Sequence, residues 1–367
     1  MTEHIPTIRD VAQRAAVHPG TASRALNEAT RALVKPETAE RVRAAAVALG
    51  YRPNYLARSF KTRKTYSVGV VFPDINNPLF PPIVRGVEDR LSTSGYFALL
   101  ANTENDLERE KRVLDGMLGR KIDGLILATA RRRDPVLVEL ARHGTAMVLV
   151  NRVVEDHAFS SVSADDRAGI GMVIEHLVGL GHRRIAHVGG PQSLSTGYQR
   201  YRGFVSSMSN SGLKLEKGLV AFASQFSIAE GIRCATEVLS RPAPPSAIVA
   251  ANDMLALGCY TALDRLGLRC PDDVSVAGFN DMPFIDRFRP PLTSVHIPHY
   301  DLGTHAADLL LERVTQPGTP IKIVLLAPQL IVRGSTGPAL EQATVARHRR
   351  TGAPNWQVLS GQAPSAK

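Results

Sequence analysis

Cysteine is scarce in this sequence, which has three cysteines in 367 residues and no Cys-x-x-Cys pair. This set is typical of reduced thiols and argues against a disulfide framework or a structural zinc site. No apolar run approaches the roughly 20 residues that a transmembrane helix needs. The opening residues, MTEHIPTIRD, lack the apolar core of a signal peptide. We therefore expect a cytoplasmic chain with no membrane partner.

Enzyme motifs are missing as well. The sequence has no GxGxxG loop, no P-loop, no HExxH motif and no GxSxG serine elbow. His296, His299 and Asp301 in VHIPHYD have a spacing that could suit a metal ion. We interpret them as an ordinary surface histidine pair, because the segment lies where a crossover strand is expected. Paired carboxylates such as Asp165 and Asp166 are interpreted as caps of the helix that follows them. The sequence predicts no catalytic residue, no metal and no cofactor.

Positive charge is present in excess and is unevenly placed. The net charge is +10, and residues 1–64 hold 12 Lys and Arg against 5 Asp and Glu. Residues 65–337 are balanced at 28 against 28, and residues 338–367 hold 4 against 1. A basic surplus in a short N-terminal segment favours a polyanion such as DNA as partner, although a solvated basic arm is the alternative.

Three short helical patterns occupy residues 7–50. Thr7 can cap the first, a turn follows at 16–18, and the second runs over about 19–27 within VHPGTASRALN. The third begins at Pro36 and is ended by Gly50. Two helices joined by a three-residue turn predict a helix-turn-helix, whose second helix enters the major groove by its N-terminal end.

From Tyr66 onward, buried strands alternate with amphipathic helices over roughly 270 residues, which is more than one sheet usually serves. This pattern predicts an α/β body of two doubly wound parallel sheets, with a ligand cleft at the carboxyl ends of the strands. The strand candidates are 67–73, 97–102, 124–128, 146–151, 184–189, 247–251, 274–279 and 324–331. The helix candidates are 80–94, 108–120, 168–180, 198–211, 229–240 and 254–267.

Seven motifs follow one another between Thr7 and Thr336: TIRDVAQRAAVHPGTASRALN, RPNYLARSF, VGVVFPDINNPLF, LGHRRIAHVGGP, AANDMLALG, VAGFND and LIVRGST. Their content and order resemble the lactose-repressor (LacI/GalR) family of bacterial transcription regulators. The resemblance implies a repressor that binds palindromic operator DNA as a dimer, under the control of a small-molecule effector in a periplasmic-binding-protein-like body. A sugar-binding protein or an enzyme on the same bilobal fold is the alternative.

The patterns and the resemblance together divide the chain into a head, a hinge, a bilobal body and a tail. We expect the tail to be disordered. Its lack of leucine heptads argues against a tetramer, although the sequence does not decide between a dimer and a tetramer. The expected bounds are 1–50 for the helix-turn-helix domain, 51–65 for the hinge helix, 66–337 for the body and 338–367 for the tail. Within the body they are 66–162 and 293–322 for the first lobe, and 163–292 and 323–337 for the second.

The resemblance also implies which residues of the head contact DNA. Arg24 becomes the main base reader, since arginine–guanine pairing is the commonest specific contact. The resemblance implies phosphate anchors at Thr7, Thr21, Ser23 and Asn27. His18 is open between a helix cap and a base contact, while Pro19 and Gly20 stand where the family usually has base-reading side chains, and let the backbone approach DNA closely. In the hinge, Phe60 is implied as the wedge that opens a base step in the minor groove, with Asn54, Ala57 and Arg58 around it.

For the effector, the resemblance implies six residues in the inter-lobe cleft: Phe80, Asn151, Arg200, Phe226, Asn252 and Asn280. Sugar-binding relatives often carry aspartate at 151 and 280, so asparagine at both leaves Arg200 with less competing negative charge. We therefore favour an anionic effector, such as a sugar acid, a sugar phosphate or a keto acid. A one-residue slip in the alignment at 151 would bring Arg152 into the site.

Overall fold

A computed structural model describes residues 6–27, 30–52, 64–156 and 158–339. The chain divides into two compact units, Met1–Tyr66 and Ser67–Lys367. None of the helices in these described ranges is both long and apolar enough to cross a bilayer. The hinge residues Asn54, Ala57, Arg58 and Phe60, and the tail from residue 340, lie outside the described residues.

The described residues of the first unit form three α-helices: α1 Ile8–Arg14, α2 Pro19–Leu26 and α3 Pro36–Ala48. They pack around a small core of alanine and valine, in which Val11, Ala22 and Val42 are fully buried. Pro36 begins α3 and Gly50 follows it with φ +62°, as the sequence predicts. So thin a core leaves the outer faces of the short helices in solvent.

The first lobe of the second unit is built on an all-parallel sheet with strand order β11-β5-β4-β3-β1-β2. Its strands are β1 Ser67–Phe72, β2 Phe97–Asn102, β3 Gly124–Leu127, β4 Met147–Val150, β5 Ser161–Ala164 and β11 Ile323–Leu326. Its helices are α4 Phe80–Ser92, α5 Leu107–Gly119, α6 Pro135–Arg142 and α11 His299–Thr315. Helices α4 and α11 cross so closely that a Cβ on Gly303 would clash with the Ile83 carbonyl oxygen.

The second lobe is built on a sheet with strand order β12-β10-β9-β8-β6-β7, in which only the β10–β12 pair is antiparallel among the described strands. Its strands are β6 Ile185–Gly189, β7 Val220–Phe222, β8 Ala247–Ala250, β9 Ser275–Asn280, β10 Thr293–His296 and β12 Gln329–Ile331. Its helices are α7 Asp166–Gly179, α8 Ser195–Asn210, α9 Ile228–Leu239 and α10 Asp253–Arg265. Short 3₁₀ turns occupy Arg31–Leu33, Lys217–Leu219 and Ile285–Arg287.

The strand pairing differs from the expected lobe boundaries near 293 and 323. β10 pairs with β9 and so belongs to the second lobe, while β11 pairs with β5 and belongs to the first. The single strand expected over 324–331 is therefore two short strands in different sheets. The chain crosses between lobes three times: after β5, after β10 and after β11. The segment 324–331 is apolar both before and after the point where the chain leaves one sheet for the other. Hydrophobic periodicity therefore does not reveal that point.

Candidate functional site

The start of α1 is held by a reciprocal cap. The backbone N–H and the hydroxyl of Thr7 both donate to Oδ2 of Asp10, each at 2.7 Å. The turn after α1 places Ala16 at φ +51°, and the guanidinium of Arg41 on α3 donates to the Ala15 carbonyl oxygen at 3.1 Å. These contacts fix the angle at which α2 leaves α1.

His18 caps α2, and Gly20 makes room for it. The backbone N–H of Gly20 donates to Nδ1 of His18 at 3.1 Å, with Pro19 at the first helical position. A Cβ added to Gly20 would lie 3.2 Å from the same nitrogen, which is tighter than an ordinary contact. The small residues at the start of α2 therefore leave room for the His18 cap. They also leave little side-chain bulk at this end of the helix.

The other α2 residues expected at DNA lie at or near the surface. Ser23 and Arg24 are exposed, and Thr21 and Asn27 are half-buried. Among the described residues, no side chain forms an ion pair with the Arg24 guanidinium. Arg24 is thus a solvated cation on the face of α2 that the core does not use.

A pocket of about 270 Å³, a volume that includes its open mouth, lies between the two lobes of the body. Its walls come from segments that follow the carboxyl ends of parallel strands, where α/β folds bind ligands. It is lined by Asn77, Leu79, Phe80, Asn151, Arg152, Thr196, Arg200, Phe226, Asn252 and Asn280. All six residues expected in the cleft are in this set, and Arg152 lines it beside Asn151. Asn77, Leu79 and Thr196 were missed: Asn77 and Leu79 lie inside the quoted motif VGVVFPDINNPLF, and Thr196 lies one helical turn before Arg200 on α8.

Three asparagines of the pocket are held by backbone geometry. Asn151 follows β4 with φ +64°, and Asn280 ends β9 with φ +111°, a region that asparagine tolerates better than most residues. Asn252 is the N-cap of α10, and its Oδ1 accepts the N–H of Leu255 at 2.9 Å. The asparagines at these positions therefore have local structural causes in addition to any contact with a ligand.

Arg200 is buried at the base of the pocket and already has partners. Its Nε donates to Oδ1 of Asp166 at 2.8 Å, its Nη1 donates to the Ala251 carbonyl at 2.7 Å, and its guanidinium lies 3.8 Å over the Phe279 ring. Burial raises the pKa of Asp166, and the Arg200 charge opposes that rise. Asparagine at 151 and 280 adds no negative charge beside Arg200, but Asp166, which lies on α7 and 34 residues away in the chain, supplies one.

Arg152 is the second guanidinium of the pocket, and it is also buried, with 6% of its surface exposed. Its Nη1 donates to Oδ1 of Asn105 at 3.3 Å. Across the described part of the chain, no carboxylate forms a salt bridge with it. Burial is the main cause that lowers the pKa of Arg152 to about 10, and repulsion from the Arg131 charge is the second. The Arg152 guanidinium therefore stays charged at neutral pH.

Two polar atoms in the pocket lack hydrogen-bond partners in the structure. They are Oγ1 of Thr196 and Oδ1 of Asn280, and both side chains are at least 97% buried. Buried polar atoms are normally satisfied, so unpaired ones at a cavity wall indicate contacts that a ligand or water completes. Phe80 and Phe226 supply apolar faces beside them. The pocket can therefore hold a small hydroxylated molecule against aromatic walls.

Two family models match the chain. Residues 7–54 match the model "Bacterial regulatory proteins, lacI family", and residues 174–336 match "Periplasmic binding protein-like domain". The chain is 32% identical over 330 residues to the ribose operon repressor of Escherichia coli K12, covering 90% of this chain and 99% of that protein. The chain belongs to the LacI family. A repressor of Pasteurella multocida named PurR is 30% identical over 338 residues, covering 90% and 98% of the two chains.

Solved structures of the LacI family have the same fold. A regulator named CelR, in complex with cellobiose, is 32% identical with a TM-score of 0.70, covering 90% of this chain and 99% of its own. The lac repressor dimer bound to operator and an anti-inducer is 26% identical with a TM-score of 0.81, covering 91% of this chain and all of its own. The likeness extends over the helix-turn-helix unit and both lobes.

The two histidines of VHIPHYD do not form the surface pair that the sequence suggested. His296 is part-exposed and its Nδ1 lies 3.1 Å from Oδ2 of Asp281, but His299 is buried at the start of α11. Burial lowers the pKa of His299 to about 4. The residues that the structure describes contain no cluster of three or more His, Cys, Asp or Glu that could hold a metal ion.

Proposed function

We propose that this LacI-family protein is a transcriptional repressor that binds palindromic operator DNA as a homodimer, and that a small hydroxylated effector in the inter-lobe pocket controls the binding. The observation that carries the proposal is the presence of an exposed, capped helix-turn-helix and a polar, aromatic-walled pocket in one chain. The curated relatives reported above are named as repressors, which supports this reading over an enzyme.

The DNA contact is proposed at the N-terminal end of α2 and along its exposed face. The positive end of the helix dipole favours phosphate oxygens, and the first turn of α2 has little side-chain bulk to keep a phosphate away. Arg24 is long, exposed and free of ion pairs with described residues, so its fork of donors is available to a guanine edge. Thr21, Ser23, Asn27 and Thr7 are proposed phosphate contacts.

A second copy of the chain is the proposed partner of the apolar edge strands of the body. β2 and β7 are the terminal strands of their sheets, and Phe97, Leu100 and Phe222 on them are exposed. Exposed apolar edge strands are normally covered by a partner. The similar lac repressor structure is described as a dimer on operator, which supports the same assembly here. A two-fold axis would require a palindromic operator.

Control by the effector is proposed to act through the lobes. Phe80 and Asn151 come from the first lobe, while Thr196, Arg200 and Asn280 come from the second. A ligand that contacts both lobes favours one arrangement of the two over another. If that arrangement changes operator affinity, operator must change effector affinity by the same factor.

The test is a fluorescence-anisotropy titration of the full chain on palindromic duplexes from the DNA around its own gene, at two salt concentrations. Wild-type protein should prefer one palindrome over a scrambled duplex, and light scattering should give the mass of a dimer. Arg24→Ala should weaken only the preferred duplex, by about 1–3 kcal/mol per half-site. Arg43→Ala is the matched control, since Arg43 is an exposed arginine of α3 paired with Glu40. Binding that treats all duplexes alike would refute the repressor.

A further inference from the structure

The charge of the effector pocket is carried by two arginines with different surroundings. The ten lining residues include Arg152 and Arg200 and no carboxylate. Arg200 is neutralised by Asp166 at 2.8 Å. Arg152 has only the amide oxygen of Asn105, at 3.3 Å, as a hydrogen-bond acceptor among described residues. The uncompensated positive charge of the pocket therefore belongs to Arg152.

The carboxylate whose charge acts on Arg152 belongs to Glu110, and it already has other hydrogen-bond partners. Glu110 on α5 is buried, and its carboxylate accepts from the Arg131 guanidinium at 2.9 Å and from the hydroxyl of Thr129. Glu110 is thus paired with Arg131, and Arg152 has no carboxylate of its own among the described residues. An isolated buried ion is costly unless a counter-ion accompanies it.

The other walls define what else the ligand must present. The unpaired Thr196 hydroxyl and the unpaired Asn280 amide oxygen suit ligand hydroxyl groups, and Phe80 and Phe226 suit the apolar face of a small ring or chain. An arginine binds a carboxylate with two parallel hydrogen bonds, and one carboxylate balances one residual charge. Resting on the effector site proposed above, we propose that this pocket takes a polyhydroxylated monocarboxylate, a sugar acid, and that Arg152 rather than Arg200 binds its carboxylate.

The test compares matched acids and neutral sugars on the full chain by thermal shift and calorimetry. The pairs are glucuronate with glucose, galacturonate with galactose and gluconate with glucitol, and glucose 6-phosphate is added as a dianion. At least one acid should bind at least tenfold more tightly than its neutral partner. Arg152→Gln should remove that preference, Arg152→Lys should restore part of it, and Arg133→Gln, at an exposed arginine of the same lobe, should leave it intact.

A second measurement needs no ligand. Arg152→Met should raise the melting temperature of the ligand-free protein by about 2 °C or more, because it removes an uncompensated buried charge. The proposal is overturned if no acid exceeds its neutral partner, if the preference survives Arg152→Gln, if the phosphate binds more tightly than every carboxylate, or if Arg152→Met lowers the melting temperature. Operator titration of the same preparations separates the outcomes, since only loss of sequence-specific DNA binding refutes the proposed repressor.

Discussion

Breaking the buried ion pair between Arg200 and Asp166 should destabilise the second lobe far more than an exposed pair would. The Arg200 and Asp166 side chains are 2% and 10% exposed, and their charged atoms lie 2.8 Å apart. Removing one partner of a buried pair costs about 3–5 kcal/mol, because the other charge is left without compensation. Arg200 also gives up its hydrogen bond to the Ala251 carbonyl, worth about 1 kcal/mol. This is a large part of the roughly 5–15 kcal/mol that holds a domain folded.

The assay is a double-mutant cycle by urea unfolding, followed by circular dichroism. Arg200→Met and Asp166→Leu should each lower the free energy of unfolding by about 3–5 kcal/mol, while the double variant should lose about as much as either alone or less. The coupling energy should then reach about 3 kcal/mol. Arg241 and Glu237 form an exposed pair in the same lobe, and their cycle should give less than about 1 kcal/mol.

Additive losses at Arg200 and Asp166, within about 0.5 kcal/mol, would refute the reasoning, because the two charges would then not compensate each other. The expected coupling also changes how functional variants of Arg200 are read. An Arg200→Ala protein that no longer answers an effector has lost the support of Asp166 and of the lobe core. Loss of the effector response in that variant therefore does not show that Arg200 contacts the ligand.

Two further predictions concern backbone strain and a buried acid. Ala16→Gly should stabilise the first unit by about 1 kcal/mol in thermal unfolding, since Ala16 has φ +51°, whereas Ala15→Gly at φ −84° should destabilise it. Burial raises the pKa of Asp253 to about 7 from about 3.8 unfolded. The Asp253 carboxyl in the folded state therefore holds an extra proton between about pH 4 and 7, and its contribution to stability slopes downward as pH rises through that window, by about 4 kcal/mol. Asp253→Asn should remove this slope in unfolding titrations; an unchanged slope would contradict the assignment.

The features that local sequence predicts well are those with a local cause. Pro36 and Gly50 bound α3 because proline suits a helix start and glycine suits a left-handed end. Asp165, interpreted as a helix cap, accepts the N–H of Ala168 at 3.0 Å at the start of α7. The alternation of strands and helices likewise gives the two sheets, since each buried strand and each amphipathic helix carries its own pattern.

The features that local sequence does not predict depend on residues far apart in the chain. The partner of Arg200 lies on a neighbouring helix, and Asp166 was interpreted only as part of a cap. The burial of His299 follows from where β10 leaves the second lobe, which no periodicity in VHIPHYD indicates. The helix from His299 to Thr315 was not expected at all.

The charge of the pocket depends on how the folded chain pairs its charged side chains. Asparagine at 151 and 280 leaves these two positions of the wall uncharged, and the positive φ of both residues suits asparagine and aspartate alike. Arg200 offers no unpaired charge to a ligand, since Asp166 neutralises it. What remains is Arg152, which was reached only through an alternative alignment. Arg152 is buried without a paired carboxylate among the described residues, and this is a property of the folded chain. It supports an anionic effector more strongly than either asparagine does.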